Sequence, residues 1–139
     1  MIAVDSSVAI AAFGEWHASN ASACVVLDEG AAISAHALIE TYSVLTGFPP
    51  PHRAPPGLVD VWLHSRFTTV LDPPNASEQR ELVRLMARNG RTGGAIHDAL
   101  VGLTARLHGA VLVTADRRAA QSYEIIGVDV RFLDGPPER

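Results

Sequence analysis

Residues 2–7 read Ile2-Ala3-Val4-Asp5-Ser6-Ser7, and the fold turns on how that stretch is read. Three apolar residues in succession, without alternation, are the pattern of a short strand buried on both faces. A carboxylate and two hydroxyls follow at once, and Ser6 or Ser7 is placed to cap a helix through Phe13. The same order returns near the other end as Val111-Leu112-Val113-Thr114-Ala115-Asp116, with a strand expected over 110–114 and a helix from Arg117. Strand, acid, helix is therefore written twice, far apart in the chain.

The intervening sequence keeps the alternation. Helical spacing covers 17–28 and 36–46, where Leu38, Ile39, Tyr42 and Leu45 share one face beside Glu40. Gly47 and the proline-rich segment 48–56 stop that helix, and Pro56 can start the next, to about His64. Ser77 is expected to cap a helix to Asn89. Gly90-Arg91-Thr92-Gly93-Gly94 then turns into the helix bearing Asp98, and Gly135 to Arg139 are expected to be loose. With further strands over 31–34, 67–71 and 128–132, the reading is one domain over 1–139. Its fold class is α/β: a three-layer α/β/α sandwich around a mainly parallel sheet of about five strands. Ligands of such sheets bind beyond the carboxyl ends of the strands, where strand order reverses. If the strands ending at Asp5 and Asp116 are neighbours there, the two carboxylates face each other, and helices starting nearby bring Asp98 and Glu40.

Composition narrows the function. At 139 residues, 47% hydrophobic and 19% charged, the chain is long enough to bury a sizeable core. Its single cysteine, Cys24, fits a reducing cytoplasm, and we expect neither a secretory signal nor a membrane span. A net charge of -4 gives no global attraction for nucleic acid, though a metal in an acidic site reverses the local sign. There is no lysine, which removes a P-loop and the aspartyl-phosphate sites that depend on one.

Each acid has an ordinary explanation taken alone. Asp5 and Asp116 could cap helices, Asp98 could answer a helix dipole, and Glu40 could be a solvated side chain. Together they make a candidate metal site, because converging carboxylates repel unless a cation neutralises them. The six histidines show no ligand spacing, and His97, next to Asp98, points elsewhere on its helix. Arg91 ends a run with Arg84 and Arg88 that suits a solvated face, whereas Arg117 and Arg118 stand beside Asp116 and could touch a substrate backbone.

Read together, Ile2-Ala3-Val4-Asp5-Ser6-Ser7, Glu40 in its helix, Gly93-Gly94-Ala95-Ile96-His97-Asp98-Ala99-Leu100 and Leu112-Val113-Thr114-Ala115-Asp116-Arg117 resemble the PIN domain, and within it the VapC-type toxins of toxin–antitoxin pairs. The resemblance covers nearly the whole chain. Some relatives carry a further acid or Asn shortly after the last aspartate; Arg118, Ala119 and Ala120 offer none here. The resemblance implies a Mg²⁺- or Mn²⁺-dependent endoribonuclease that blocks translation by cutting structured RNA such as tRNA or rRNA. It implies a homodimer silenced by a cognate VapB-type antitoxin. Asp5 and Asp98 would be direct metal ligands, Glu40 and Asp116 ligands through water or orienting groups, with Thr114 and Ser6 supporting them. Arg117, Arg118 and Arg91 would meet RNA. Two other readings stand beside it: a non-catalytic module gripping a basic peptide through the acids, and a DNA-directed nuclease.

Overall fold

The computed structural model describes residues 1–133, so the expectation for Gly135 to Arg139 lies outside the described residues. In chain order the elements are β1 (Ile2–Val4), α1 (Ser6–Phe13), α2 (Asn20–Asp28), β2 (Ala32–Ser34), α3 (Ala35–Gly47), α4 (Pro56–Arg66), β3 (Val70–Leu71), α5 (Ala76–Arg88), α6 (Ala95–Leu107), β4 (Val111–Thr114), a 3-10 turn (Arg117–Ala119), α7 (Ala120–Ile126) and β5 (Val130–Phe132). The sheet runs β3-β2-β1-β4-β5 with every neighbouring pair parallel. Parallel strands need crossovers, and crossovers are right-handed. From β1 the chain steps one way to β2 and β3, then returns to the far side of β1 for β4 and β5. Opposite directions of travel place the connecting helices on opposite faces: α1 packs on α2 and α3, and α6 on α5 and α7. The α/β sandwich expected from the alternation is the fold observed.

β1 and β4 are therefore the pair at which strand order reverses. Their register, Ala3 opposite Leu112 and Val4 opposite Val113, sets Asp5 beside Thr114 one step further on. The Asp5 amide donates to the Val113 carbonyl at 3.2 Å. Val4, Ile33, Leu112 and Val113 are fully shielded at the sheet centre, and small residues (Ala9, Ala11, Ala37, Ala99, Ala105) let the helices sit close to it.

Several boundaries differ from the sequence expectation, each for a local reason. The cap of α1 is Asp5 itself, accepting from the Val8 amide, rather than Ser6 or Ser7. α2 starts at Asn20, not residue 17, because the Asn20 side-chain Nδ2 donates to the Ala11 and Ala12 carbonyls and ties the end of α1 to the start of α2. α5 is capped by Asn75, with Glu78 closing a reciprocal capping box; Ser77 lies inside the helix. α4 runs on to Arg66, which leaves only Val70 and Leu71 for the edge strand expected over 67–71. The helix expected from Arg117 opens with a 3-10 turn before α7 begins at Ala120.

Candidate active site

Asp5 is the most enclosed acid among the described residues, 5% exposed. Its position follows from β1: an apolar strand buried on both faces delivers its last residue into the interior, and α1 starts there. One carboxylate oxygen accepts from the Ser7 hydroxyl and from the Val8 amide at 3.3 Å; the other accepts from the Tyr123 hydroxyl at 2.8 Å. Burial pushes the Asp5 carboxyl above the usual carboxylate range, while donors from Ser7, Thr114, Tyr123 and Val8 pull it back. Tyr123 is itself pushed up, first by burial and then by the charge of Asp5, so its phenol stays protonated and donating.

Hydroxyls then bridge the two strands. Ser7 Oγ lies 3.4 Å from Thr114 Oγ1 and accepts the Ala115 amide at 2.9 Å, and Thr114 Oγ1 accepts the Asp116 amide at 3.0 Å. Thr114, fully buried, thus shapes the turn that presents Asp116. The serine that hydrogen-bonds Asp5 is Ser7, one residue beyond the expected Ser6. Asp116 Oδ1 accepts from the Arg118 amide at 2.9 Å and from Arg118 Nε at 3.2 Å, capping the 3-10 turn.

The other two acids come from helices on opposite faces. Glu40 stands on α3 and Asp98 in the first turn of α6, both half-buried. Burial pushes the Asp98 carboxyl up to about 6, and the charges of Asp116, Glu40 and Asp5 push the same way against His97. Glu40 is raised by burial, lowered by His97 and raised again by Asp5. All four acids thus lie in one electrostatic neighbourhood at the carboxyl end of the sheet.

They do not form a closed cage. Among the described residues, no three His, Cys, Asp or Glu side chains are gathered tightly enough to hold a metal ion as they stand. The donor set nonetheless fits a hard divalent cation that keeps part of its water shell: it is all carboxylate oxygen, mutually repelling, and includes two acids whose charge is only half shielded.

Two features near the acids escaped sequence reading. The rings of His36 and His97 stack at 5.1 Å with 3° between planes, and their nitrogens lie 3.2 Å apart. Spacing along α3 and α6 could not reveal this, because the contact crosses 61 positions. Tyr123 was missed for the same reason, standing 118 positions from the carboxylate it holds. The arginines expected to meet RNA are only partly free. Arg118 pairs with Asp116, Arg117 lies 4.5 Å above the Phe132 ring, and Arg91 donates to Gln121 and Ser122.

Comparison with known proteins agrees with this geometry. The family model of the PIN domain matches residues 2–124. Ribonuclease VapC40 of Mycobacterium tuberculosis is 43% identical over 133 residues, spanning 96% of this chain and 99% of that protein. Ribonuclease VapC27 of the same organism is 42% identical over 130 residues, spanning 93% and 94%. The crystal structure of VapBC2 from Rickettsia felis, bound to a DNA fragment from their promoter, matches with a TM-score of 0.69 at 20% identity, over 96% of this chain and 100% of that one. A parallel sheet whose order reverses between β1 and β4, acids gathered at that reversal, and near full-length identity to VapC proteins lead to one conclusion: the chain belongs to the PIN-domain family, in its VapC-type branch.

Proposed function

We propose that the chain is a Mg²⁺- or Mn²⁺-dependent endoribonuclease, the toxin of a toxin–antitoxin pair, cutting structured RNA such as tRNA or rRNA and so inhibiting translation. The observation that carries this reading is the shared electrostatic neighbourhood of Asp5, Glu40, Asp98 and Asp116 at the β1/β4 reversal, where burial, and after it the charges of Asp116, Glu40 and Asp5, push the Asp98 carboxyl up to about 6. The two ribonuclease relatives support the reaction class, the VapBC2 neighbour supports a VapB-type antitoxin partner, and a homodimer is proposed with them.

A bound divalent cation would supply charge neutralisation at the scissile phosphodiester and a water of lowered pKa. Asp5 and Asp98 are the residues that would hold it directly. Asp5 is fixed by Ser7, Val8 and Tyr123, so its orientation is set before any cation arrives. Glu40 and Asp116 would act through water, orienting the attacking water and accepting its proton. Thr114 and Ser7 keep the β1 and β4 ends in register. Hydrolysis by water would leave a 5′-phosphate and a 3′-hydroxyl. Among the described residues no helix is long and apolar enough to cross a membrane, in keeping with action on RNA in the cytoplasm.

The test is to express the chain, map new 5′ ends across cellular RNA, and repeat with Asp98→Asn and Asp5→Asn. Discrete 5′-phosphate ends are expected from the unsubstituted chain and none above background from either variant. Purified protein should lose activity in chelator and regain it with Mg²⁺ or Mn²⁺. Identical cuts from all three proteins, or cutting that persists in chelator, would falsify the assignment. Cutting of DNA alone, or no cutting with tight binding of a basic peptide, would move the chain to one of the other two classes.

A further inference from the structure

A nuclease of this charge has to grip a polyanion although its acids outnumber its cations. The sequence holds 15 acids against 11 arginines and no lysine. Among the described residues Arg66, Arg84, Arg118 and Arg131 are in ion pairs with acids of the chain. The four acids of the site repel phosphate until a cation arrives. Affinity for a single strand has a second source that needs no charge, the stacking of bases on exposed aromatic rings.

One such surface among the described residues lies outside the acid cluster. Trp16, in the turn between α1 and α2, is 46% exposed. The exposed His52 ring lies against it at 4.1 Å with 32° between planes, and Phe48 meets it edge-on at 5.5 Å. The ring is held in place from beneath. A Cβ on Gly14 would come within 2.9 Å of the Trp16 ring, so only glycine admits this pose. The loop carrying Phe48 and His52 is stiffened by Pro49, Pro50 and Pro51, and Arg53 Nε donates to the Phe48 carbonyl at 2.9 Å. Among the described residues Arg53 makes no ion pair, which leaves its charge beside the rings. A fixed, solvent-facing stack of Trp16 and His52 beside a free guanidinium is a geometry for one unstacked base and its phosphate.

Its place in the fold gives the stack a role. α1 starts at Asp5 and ends just before Trp16; α3 carries Glu40 and ends just before Phe48. Both helices therefore lead from the acids to these rings, on the order of 12 Å of helix axis in each case at 1.5 Å per residue. We propose that Trp16 and His52 form a base-stacking subsite that seats an unpaired nucleotide of the RNA a few positions from the scissile phosphate. This rests on the ribonuclease reading and adds to it a demand that the substrate be single-stranded at that position.

The experiment uses the full chain and a single-stranded RNA octamer, with Trp62→Phe as background so that fluorescence reports Trp16 alone. Titration should quench that fluorescence, and Trp16→Ala should weaken binding roughly 10-fold, a typical loss for one stacked base. Trp16→Phe should retain most of the affinity and His52→Ala should lose part of it. With a cleavable RNA, Trp16→Ala should raise KM by a similar factor and leave kcat within about twofold, as expected when a contact made equally in the ground and transition states is removed. Circular dichroism and Tm confirm that each variant folds. Unchanged affinity in Trp16→Ala overturns the subsite whether or not the chain cuts RNA. Equal loss with a fully paired duplex overturns it as well, and so does self-association that depends on Trp16 while RNA binding does not. Quenching by the octamer from a chain that cuts no RNA would keep the subsite and sink the nuclease reading.

Discussion

The two halves of the acid cluster are built differently. Asp5 and Asp116 leave the ends of adjacent strands, and hydroxyls and amides from Ser7, Thr114, Tyr123, Val8 and Arg118 satisfy and orient them. Glu40 and Asp98 stand on helices from opposite faces, and what marks them is burial and the charge of the other acids. One half is preset by hydrogen bonds; the other is held apart by repulsion and waits for positive charge. The halves should therefore answer truncation in opposite ways. Asp5→Ala strips the partner from a buried phenol and leaves α1 uncapped, so unfolding free energy should fall by about 2 kcal/mol, visible as a lower urea midpoint. Asp98→Ala removes a repelled carboxylate and should leave the metal-free chain as stable or more so. RNA cleavage should fall in both by a factor on the order of 100 or more, the scale for losing an electrostatic contact to the reacting group. Equal loss of stability in the two variants breaks the contrast.

Tyr123 sharpens it. Tyr123→Phe keeps the ring and removes one donor to Asp5, so it should cost about 1 kcal/mol of stability and reduce cleavage roughly 10-fold, as loss of an orienting partner does. Gly102→Ala reaches the same bond from behind. A Cβ there would stand 2.9 Å from Tyr123 Cδ1, where α6 and α7 approach closely, and the ring is only 1% exposed with little room to retreat. It should destabilise by about 1–3 kcal/mol, as overpacking does. If Gly102→Ala loses activity in proportion to stability while Tyr123→Phe loses none, the hydrogen bond to Asp5 has no part in orienting it.

The same division explains what could be read from the sequence. Asp5 and Asp116 were legible because strand, acid and helix follow one another locally, and period and capping chemistry are local signals. The parallel sheet followed from alternation, whereas the adjacency of β1 and β4 at the reversal stood only as a condition until the strand order supplied it. Tyr123, Ser7 and the His36–His97 stack were not legible. Each depends on which faces of packed elements meet, and spacing within one helix carries no information on that. The Asn75 cap was missed by two residues because Ser77 is an equally good capping residue by type; Glu78, three residues after Asn75, was the discriminating sign. The edge strand shrank because nothing local separated the end of α4 from the start of β3.

Changing pH isolates the half that waits for positive charge. The folded chain holds the Asp98 proton up to about 6, whereas the unfolded chain releases it near 3.8. Below both values each state is protonated and Asp98 contributes nothing. As pH rises between them the unfolded state ionises first, so every step favours unfolding, and above about 6 the loss is complete. The metal-free protein should therefore show a shallow fall in stability across that window. Asp98→Asn should flatten it, and millimolar Mg²⁺ or Mn²⁺ should reverse it, because a cation that binds only the folded, ionised cluster stabilises that state by mass action. Denaturant midpoints from pH 4 to 7, with and without metal, in both proteins would measure it. A slope that survives Asp98→Asn unchanged would have to come from Asp5 or Glu40, whose carboxyls burial also raises, and would place the main cost of buried charge in the half held by hydrogen bonds or on α3.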